Sequence, residues 1–357
     1  MTVPARRAAC LAAAAAVVLA VPALAQAKTK TVDMGLSASA QKVFGKKYAA
    51  DVNDFFPHSV TIRAGDSVRF RPTDFHTVDI APNGQSILPL LTAGGTTTGI
   101  TDAASAPFWF NGQPLFGINP ALNASNFGKR LTYSGQRIES GLPLSQHPKP
   151  MTVRFPSKGT YRYLCDLHPG MFGTVVVKGK RANVPTAKQD KRRVHKQLGR
   201  DRTRAKNLAG VVPPGNTVYT GGSAAGGVEY YGMLPARKAV PVGTTVRFMM
   251  SPRSFDVHTA TFGPGNPLQP TSYLGAIAKS FQGTSLDPRG IYSSERPQTV
   301  ASYGPTLHGN GFWNSGLMDN SDDTPLVPYT DLKFTTPGTY DFYCLIHPYM
   351  HGQVIVQ

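Results

Sequence analysis

The chain has 357 residues and a formal net charge of +17, from 37 Lys and Arg against 20 Asp and Glu. Its Gly (36) and Pro (30) contents are high, whereas charged residues make up only 16% of the chain. This composition favours a turn-rich all-β protein of two or three domains, each large enough for its own core, and argues against a mainly helical one.

Residues 1–27 have the pattern of an export signal. Arg6 and Arg7 precede an apolar run over residues 8–21, and A-x-A cleavage sites follow between residues 23 and 27. The run is too short to span a membrane comfortably, and no later segment is an obvious membrane span. We therefore expect an exported protein with no membrane span, located in the periplasm, at the cell surface or in the medium.

Residues 28–178 are predicted to form a first domain. Residues 30–34, 59–63 and 67–70 have the alternation and β-branched content of strands, with a turn at Gly65, and His76 begins the next strand. Residues 81–150 are a long insertion rich in Gly, Pro, Ser and Asn. An unstructured loop of that length is unusual inside a compact domain, so we expect the insertion to be packed.

Residues 179–210 form a basic linker. Between Lys178 and Lys206 there are 12 Lys or Arg and two Asp, a net charge of +10. The segment predicts a mostly exposed helix capped by Thr186. Because it has no interleaved aromatic residues, nucleic acid is a poor candidate partner. Contact with anionic cell-surface polymers, steering of an acidic redox partner and a simple solvated linker all stay open.

Residues 211–357 repeat the plan of the first domain. The sequence V-R-F precedes His-Thr at positions 76 and 258, and each half then ends in the motif C-x2-H-x2-M. The two cysteines, at 165 and 344, are 179 residues apart, and the two upstream histidines are 182 apart. This repetition predicts an internal duplication. The eight candidate metal ligands are His76, Cys165, His168 and Met171 in the first half, and His258, Cys344, His347 and Met350 in the second.

A thiolate, two imidazoles and a thioether make a soft metal site of the kind that binds copper for electron transfer. Structural zinc sites close with four strong ligands and rarely use Met. A catalytic Cys–His pair would not need a Met three residues further on. The plain alternative, that Cys and Met fill the core and His lies on the surface, is weakened because the set occurs twice.

Cysteine usage agrees with a metal site. Besides Cys10 in the predicted signal, the chain has only Cys165 and Cys344. Two cysteines in an exported protein could pair as a disulfide. Each, however, lies in its own copy of the motif, so metal binding accounts for both.

On these motifs, both halves resemble the cupredoxins, the plastocyanin and amicyanin family, and the short C-x2-H-x2-M loop is most similar to the amicyanin type. The resemblance implies two Greek-key β-sandwich domains, each with one type 1 copper held by the four residues given above. Thr77 and Thr259 stand where many members carry an Asn that ties the ligand loops, although Thr can also form hydrogen bonds. The intervals from the first His to the Cys are about twice those of small members, which implies a long insertion in each half.

The resulting hypothesis is an exported blue copper protein that carries electrons to and from redox partner proteins through His168 and His347. An oxidase or nitrite-reductase-like enzyme would need further copper between domains or subunits. That reading is disfavoured because no H-x-H pair occurs and no His adjoins either Cys. Copper storage or delivery would use the same residues and stays open. His351 is interpreted as an exposed loop histidine, and Trp109 and Trp313 as packing anchors rather than an electron path.

Overall fold

A computed structural model describes residues 27–82, 85–283, 285–322 and 324–357. The predicted export signal lies outside these residues except for Ala27. Sheets dominate the described part of the chain, which confirms the predicted all-β class with β-sandwich architecture. No helix in this part is long and apolar enough to cross a bilayer.

The first half contributes thirteen strands in the described residues. They are β1 (Thr29–Met34), β2 (Ala50–Val52), β3 (Phe55–Phe56), β4 (Ser59–Arg63), β5 (Ser67–Pro72), β6 (Asp79–Ile80), β7 (Leu91–Thr96), β8 (Pro114–Ile118), β9 (Arg130–Thr132), β10 (Ile138–Glu139), β11 (Met151–Arg154), β12 (Gly159–Leu164) and β13 (Phe172–Lys178).

Ten strands follow in the described part of the second half. They are β14 (Thr217–Ala224), β15 (Val228–Leu234), β16 (Arg237–Val240), β17 (Thr245–Met249), β18 (Thr261–Phe262), β19 (Ala301–Tyr303), β20 (Trp313–Asn314), β21 (Tyr329–Phe334), β22 (Gly338–Tyr343) and β23 (His351–Val356). The helices are α1 (Ala38–Tyr48), α2 (Ala187–Ala205), α3 (Tyr273–Ser280) and α4 (Pro288–Ile291).

The first sandwich has two five-stranded sheets, in the orders β3-β1-β5-β11-β9 and β10-β6-β12-β13-β4. In β5, Val68 and Phe70 are buried while their neighbours Arg69 and Arg71 are exposed, as the alternation predicts. The turn at Gly65, where φ is +97°, carries the chain from β4 in one sheet to β5 in the other. The apolar faces of the two sheets therefore meet and form one core.

The second sandwich uses the same strand order. Its sheets run β19-β21-β17-β14-β15-β2 and β16-β23-β22-β18-β20. The parallel pair β14–β17 corresponds to β1–β5, and the parallel pair β16–β23 corresponds to β4–β13. Phe248, Phe262, Trp313, Phe334 and Phe342 fill this core with edge-to-face and tilted aromatic contacts.

One strand crosses between the halves. β2, from the first half, pairs antiparallel with β15 and forms the edge of the second sandwich's larger sheet. Nearby, the backbone N–H of Asn53 donates to the carbonyl of Gly227 at 2.7 Å. The boundaries 28–178 and 211–357 remain a prediction, and residues 50–52 belong structurally to the later sheet.

The predicted basic helix is α2. Thr186 caps it through a capping box with Gln189, whose side chain returns to the backbone of Thr186. Most of its surface is exposed, but Gln197 is buried and donates to Asp54 Oδ2 at 2.8 Å and to the Phe55 carbonyl at 2.9 Å. The helix is therefore fixed to the first half and is not a free spacer.

The long insertions of the two halves pack against each other. Phe108, Phe110 and Phe312 share one buried cluster, and Trp109 donates its indole N–H to the Ser293 carbonyl at 2.9 Å. Trp313 is 1% exposed in the second core. Both tryptophans thus have packing roles, and the insertion at 81–150, as far as the structure describes it, is packed as expected.

His308 joins the two insertions. Its Nδ1 lies 3.1 Å from Asp102 Oδ2 and its Nε2 lies 3.2 Å from Glu295 Oε1. Burial disfavours the imidazolium, but the hydrogen bonds that the ring donates to Glu295 and Asp102 outweigh this and raise the pKa of His308 above 6.5. Because the pKa of His308 is higher in the folded than in the unfolded chain, its protonation stabilises the fold at pH values below the unfolded pKa. This stabilisation is lost as the pH rises through the folded pKa.

We predict that His308→Gln removes this pH-dependent part of the stability. At pH 5.5 the parent should be more stable to unfolding than the variant by up to about 1 kcal/mol, a small value because the site is partly exposed. This difference should shrink by pH 8.5, because His308 then loses its charge. Urea unfolding at pH 5.5, 7.0 and 8.5 measures it. His147→Gln, at an exposed histidine of the first-half insertion, is the control. A difference between parent and His308→Gln that does not change with pH would contradict the prediction.

Candidate metal centres

The first centre gathers three predicted ligands at one end of the first sandwich. Cys165 follows β12, and its Sγ lies 3.9 Å from His76 Nδ1 and 3.6 Å from His168 Nδ1. The two Nδ1 atoms are 3.0 Å apart. His76 and Cys165 are buried, and His168 is partly exposed. Three donor atoms therefore converge on one point.

The second centre has nearly the same geometry. Cys344 Sγ lies 3.8 Å from His258 Nδ1 and 3.9 Å from His347 Nδ1, and the two Nδ1 atoms are 3.1 Å apart. His258 and Cys344 are buried, and His347 is partly exposed. The same atoms of the same residue types face one another in both halves.

The ligand loop is closed by two backbone hydrogen bonds. In the first half the N–H of Cys165 donates to the Met171 carbonyl at 3.0 Å, and the N–H of Met171 donates to the His168 carbonyl at 2.9 Å. The second half repeats both bonds, at 3.1 and 2.8 Å. The tight turn brings Cys and His to one side before the next strand begins, which explains the three-residue spacings of the motif.

Met171 and Met350 lie in the two hydrophobic cores, each in the same buried cluster as its cysteine. They are 1% and 0% exposed. Each apolar thioether thus lies in the same water-excluded core as the thiol of its own half. Their position suits a weak fourth ligand, and it equally suits core packing.

Threonine ties the ligand loops together. The backbone N–H groups of Thr77 and Thr259 each lie 3.4 Å from the cysteine sulfur of their own half. The hydroxyl of Thr77 accepts from the Asp166 N–H at 2.8 Å, and that of Thr259 accepts from the Leu345 N–H at 2.9 Å. These hydrogen bonds hold the segment that carries the first His against the start of the loop that carries the Cys.

A glycine leaves room for the first His of each centre. A Cβ on Gly35 would lie 2.8 Å from His76 Nε2, and one on Gly221 would lie 2.8 Å from His258 Nε2. Both glycines have positive φ, +93° and +95°. The imidazole is pressed against bare backbone, so its Nδ1 is directed at the cysteine.

The two thiols differ in the direction of their pKa shifts. Burial raises the pKa of Cys165 to about 12 and lowers the pKa of His76 well below 6.5. In the second centre burial also opposes ionisation, but hydrogen bonds from His258 and His347 hold the pKa of Cys344 well below its usual value. Burial disfavours imidazolium at His347, yet Asp256 and Cys344 raise its pKa to about 9.

This donor set fits one soft or borderline cation in each half. In each centre two imidazole nitrogens lie within hydrogen-bond distance of each other and both face a thiol. One cation bound between them could be coordinated by all three atoms. Each centre can bind such an ion once the thiol and imidazoles have lost their protons.

A third cluster was not foreseen from the sequence. The carboxylates of Asp79, Glu139 and Asp166 lie within 4.8 Å of one another and are buried next to Cys165. Arg137 pairs with Asp79, while one oxygen each of Asp79 and Glu139 has no hydrogen-bond partner. Burial, together with Asp166, raises the pKa of Asp79 to about 7 and that of Glu139 to about 10.

Neutral residues occupy the matching positions of the second half. Thr261 pairs with Asn314 across β18 and β20 as Asp79 pairs with Glu139 across β6 and β10. Leu345 follows Cys344 where Asp166 follows Cys165. Aligning the halves would have shown the difference in charge, but only the sheet pairing shows that the three acids meet.

Other histidines lie apart from the centres. His351 Nε2 lies 2.8 Å from Asp341 Oδ1 and its ring stacks on Tyr343. His58 pairs with Asp54 at 2.9 Å, and His308 lies between the insertions. In the described residues, the histidines that meet a cysteine are those of the two C-x2-H-x2-M centres.

We predict that Gly221→Ala disables the second centre, because its Cβ would overlap the His258 ring. The variant should bind about one metal ion fewer per chain than the parent and lose more than about 1 kcal/mol of stability. Metal content after loading and urea unfolding measure these effects. Gly243→Ala is the control, since its φ is +83° but a Cβ there would meet nothing within 4 Å. Equal metal loss in both variants would refute the steric explanation.

We also predict that Glu139→Gln raises stability at neutral and alkaline pH. A carboxyl pKa raised from 4.5 to about 10 contributes stability that is lost as pH rises through this range. The gain of the variant over the parent should therefore grow with pH, as unfolding midpoints between pH 5 and 9 would show. Asn314→Asp is the reciprocal change and should destabilise. Equal unfolding curves for parent and Glu139→Gln at pH 9 would contradict this account.

Comparisons with known proteins give similarity only at the level of structure. No protein-family model and no curated protein sequence matches the chain. Solved structures that match include a Cu(I) form and a reduced form of amicyanin mutants, at 18% and 20% identity. Each match covers 42% of this chain and 90% of the other, with a TM-score of 0.22. A purple cupredoxin from Nitrosopumilus maritimus matches at 17% identity over 40% of this chain and all of the other, with a TM-score of 0.20.

Proposed function

We propose that the chain is a two-site type 1 copper protein that carries electrons. The observation that supports this most strongly is the convergence of two imidazole Nδ1 atoms and one cysteine Sγ in each half. Two His and one Cys in a plane, with a weak axial Met, are the ligands of blue copper electron-transfer sites. His76, Cys165, His168 and Met171 would hold one copper, and His258, Cys344, His347 and Met350 the other.

The protein's contribution is a rigid, dry ligand frame. Copper would supply a one-electron change, and the loop hydrogen bonds, the threonine ties and the glycines behind the first His keep the donors in place. The backbone N–H of Thr77 or Thr259 lies next to the cysteine Sγ of its centre. Hydrogen bonding to this sulfur would tune the reduction potential of a bound copper. A frame held by these contacts would change little when copper gains or loses an electron, which favours electron transfer over release of copper.

The cellular setting belongs to the same proposal. The pattern of residues 1–27 supports export to the periplasm, the cell surface or the medium, and the repeated motif supports a duplicated two-domain chain. The partners would be redox proteins. The basic surface of α2 is exposed on most of its turns. It would favour acidic redox proteins or anionic cell-surface polymers as partners.

Copper loading of the mature protein tests the proposal. The parent should bind two Cu(II) per chain and show an intense thiolate charge-transfer band, and Cys165→Ala and Cys344→Ala should each lose about half of both. Reversible oxidation and reduction over many cycles without loss of copper would support electron transfer. Absence of the band in the parent would refute the proposal. Rapid loss of copper to a chelator would favour a role in copper delivery. More than two coppers per chain would favour a copper-dependent enzyme.

A further inference from the structure

The ligand loop of the first centre touches the second half. Gly170 lies between His168 and Met171, and a Cβ on it would be 2.6 Å from the ring of Phe255. Phe255 comes from the second half, three residues before His258, and it packs against the first core. The backbone segment that carries one set of ligands thus rests on the segment that leads into the other.

The next residue in this segment reaches the second centre. Asp256 is 5% exposed, and its Oδ2 lies 3.8 Å from His347 Nε2 and accepts the Tyr231 hydroxyl at 2.9 Å. The Tyr231 ring lies 4.9 Å from the His347 ring, centroid to centroid. His347 therefore directs Nδ1 at Cys344, and its Nε2 lies at ion-pair distance from a carboxylate of the kind that orients metal-binding histidines.

Asp256 also lies beside the first centre. It directly follows Phe255, whose ring packs against Gly170 in the loop that carries His168 and Met171. The Oδ2 of the same carboxylate lies 3.8 Å from His347 Nε2. One buried carboxylate thus adjoins the ligand loop of the first centre and a histidine of the second.

The contact between the halves is held firmly. Glu229, which is 1% exposed, accepts the N–H of Phe255 at 2.7 Å and the hydroxyl of Ser254 at 3.1 Å. Glu229 lies on β15, the strand that pairs with β2 from the first half. The segment 254–256 is therefore fixed to the same edge that joins the two sandwiches.

We propose that the two metal centres face each other across this contact and form an electrostatically coupled pair, with Asp256 as the positioning carboxylate shared by both. This rests on the proposed function only in that both centres bind metal. Its consequence is that the charge on one centre is felt at the other, and that removing the Asp256 charge weakens cation binding at both.

Single-centre variants separate the two effects. Cys344→Ala leaves the first centre and Cys165→Ala leaves the second, and each is combined with Asp256→Asn. In competition with a chelator, Asp256→Asn should lower the affinity of the second centre about 10- to 100-fold, since it removes the carboxylate on His347. The first centre should weaken severalfold. Titrations use Cu(II) and, separately, Cd(II), which binds thiolate and imidazole without redox chemistry.

Asp331→Asn is the matched control. It makes the same change of carboxylate to amide on β21, where Asp331 accepts from Arg247 at 2.8 and 2.9 Å and has no role in either centre. It should leave both affinities within about twofold. Near-ultraviolet circular dichroism of every variant checks that the fold is kept.

A measurement on the unmutated chain covers the case in which Asp256→Asn fails to fold. Pulsed electron paramagnetic resonance of the fully Cu(II)-loaded parent should show dipolar coupling between the two ions, absent in both Cys→Ala variants. No dipolar coupling, or an Asp256→Asn effect confined to the second centre, would overturn the pairing. Loss of Cd(II) affinity at both centres on Asp256→Asn, in a chain that lacks the copper thiolate band, would support the pairing while refuting the proposed function.

Discussion

Each half depends on the convergence of two imidazole nitrogens on one thiol. The short loop after Cys165 or Cys344 turns within six residues, and its own backbone hydrogen bonds set the direction of Cys and His. The remaining His arrives from another strand and is positioned by a threonine tie and a bare glycine. The sandwich holds three chain segments at one end: the loop with the Cys and second His, the segment with the first His, and the segment with the glycine. No single strand or loop could form the site alone.

The same frame carries different electrostatics in the two halves. In the first centre burial raises the pKa of Cys165, and three buried carboxyls lie next to it. In the second centre the two histidines lower the pKa of Cys344 against the effect of burial, and Asp256 lies beside His347. Because charge near a metal shifts both its affinity and its potential, equal ligand sets do not imply equal sites. The differences come from residues just outside the ligands, such as Asp166 in the first half and Leu345 in the second.

The sequence was sufficient to predict the all-β class, the helix begun by Thr186 and the meeting of six of the eight proposed ligands. Those predictions rest on short-range signals, namely alternation, capping and the C-x2-H-x2-M spacing. It did not predict β2 in the later sheet, the cluster of Asp79, Glu139 and Asp166, or the packing of Phe255 on the first core. Each of these needs strand order or contact between halves, which are tertiary properties that no local pattern encodes.

The crossing strand has a practical consequence for how the chain can be divided. A fragment of residues 211–357 would lack β2 and leave β15 as an open edge with unpaired backbone groups, which invites association with other strands. A fragment ending near residue 210 would keep three residues of strand without a sheet to join. The halves look separable along the sequence, but cutting between them would damage both. Studies of a single centre are better done by inactivating the other within the intact chain.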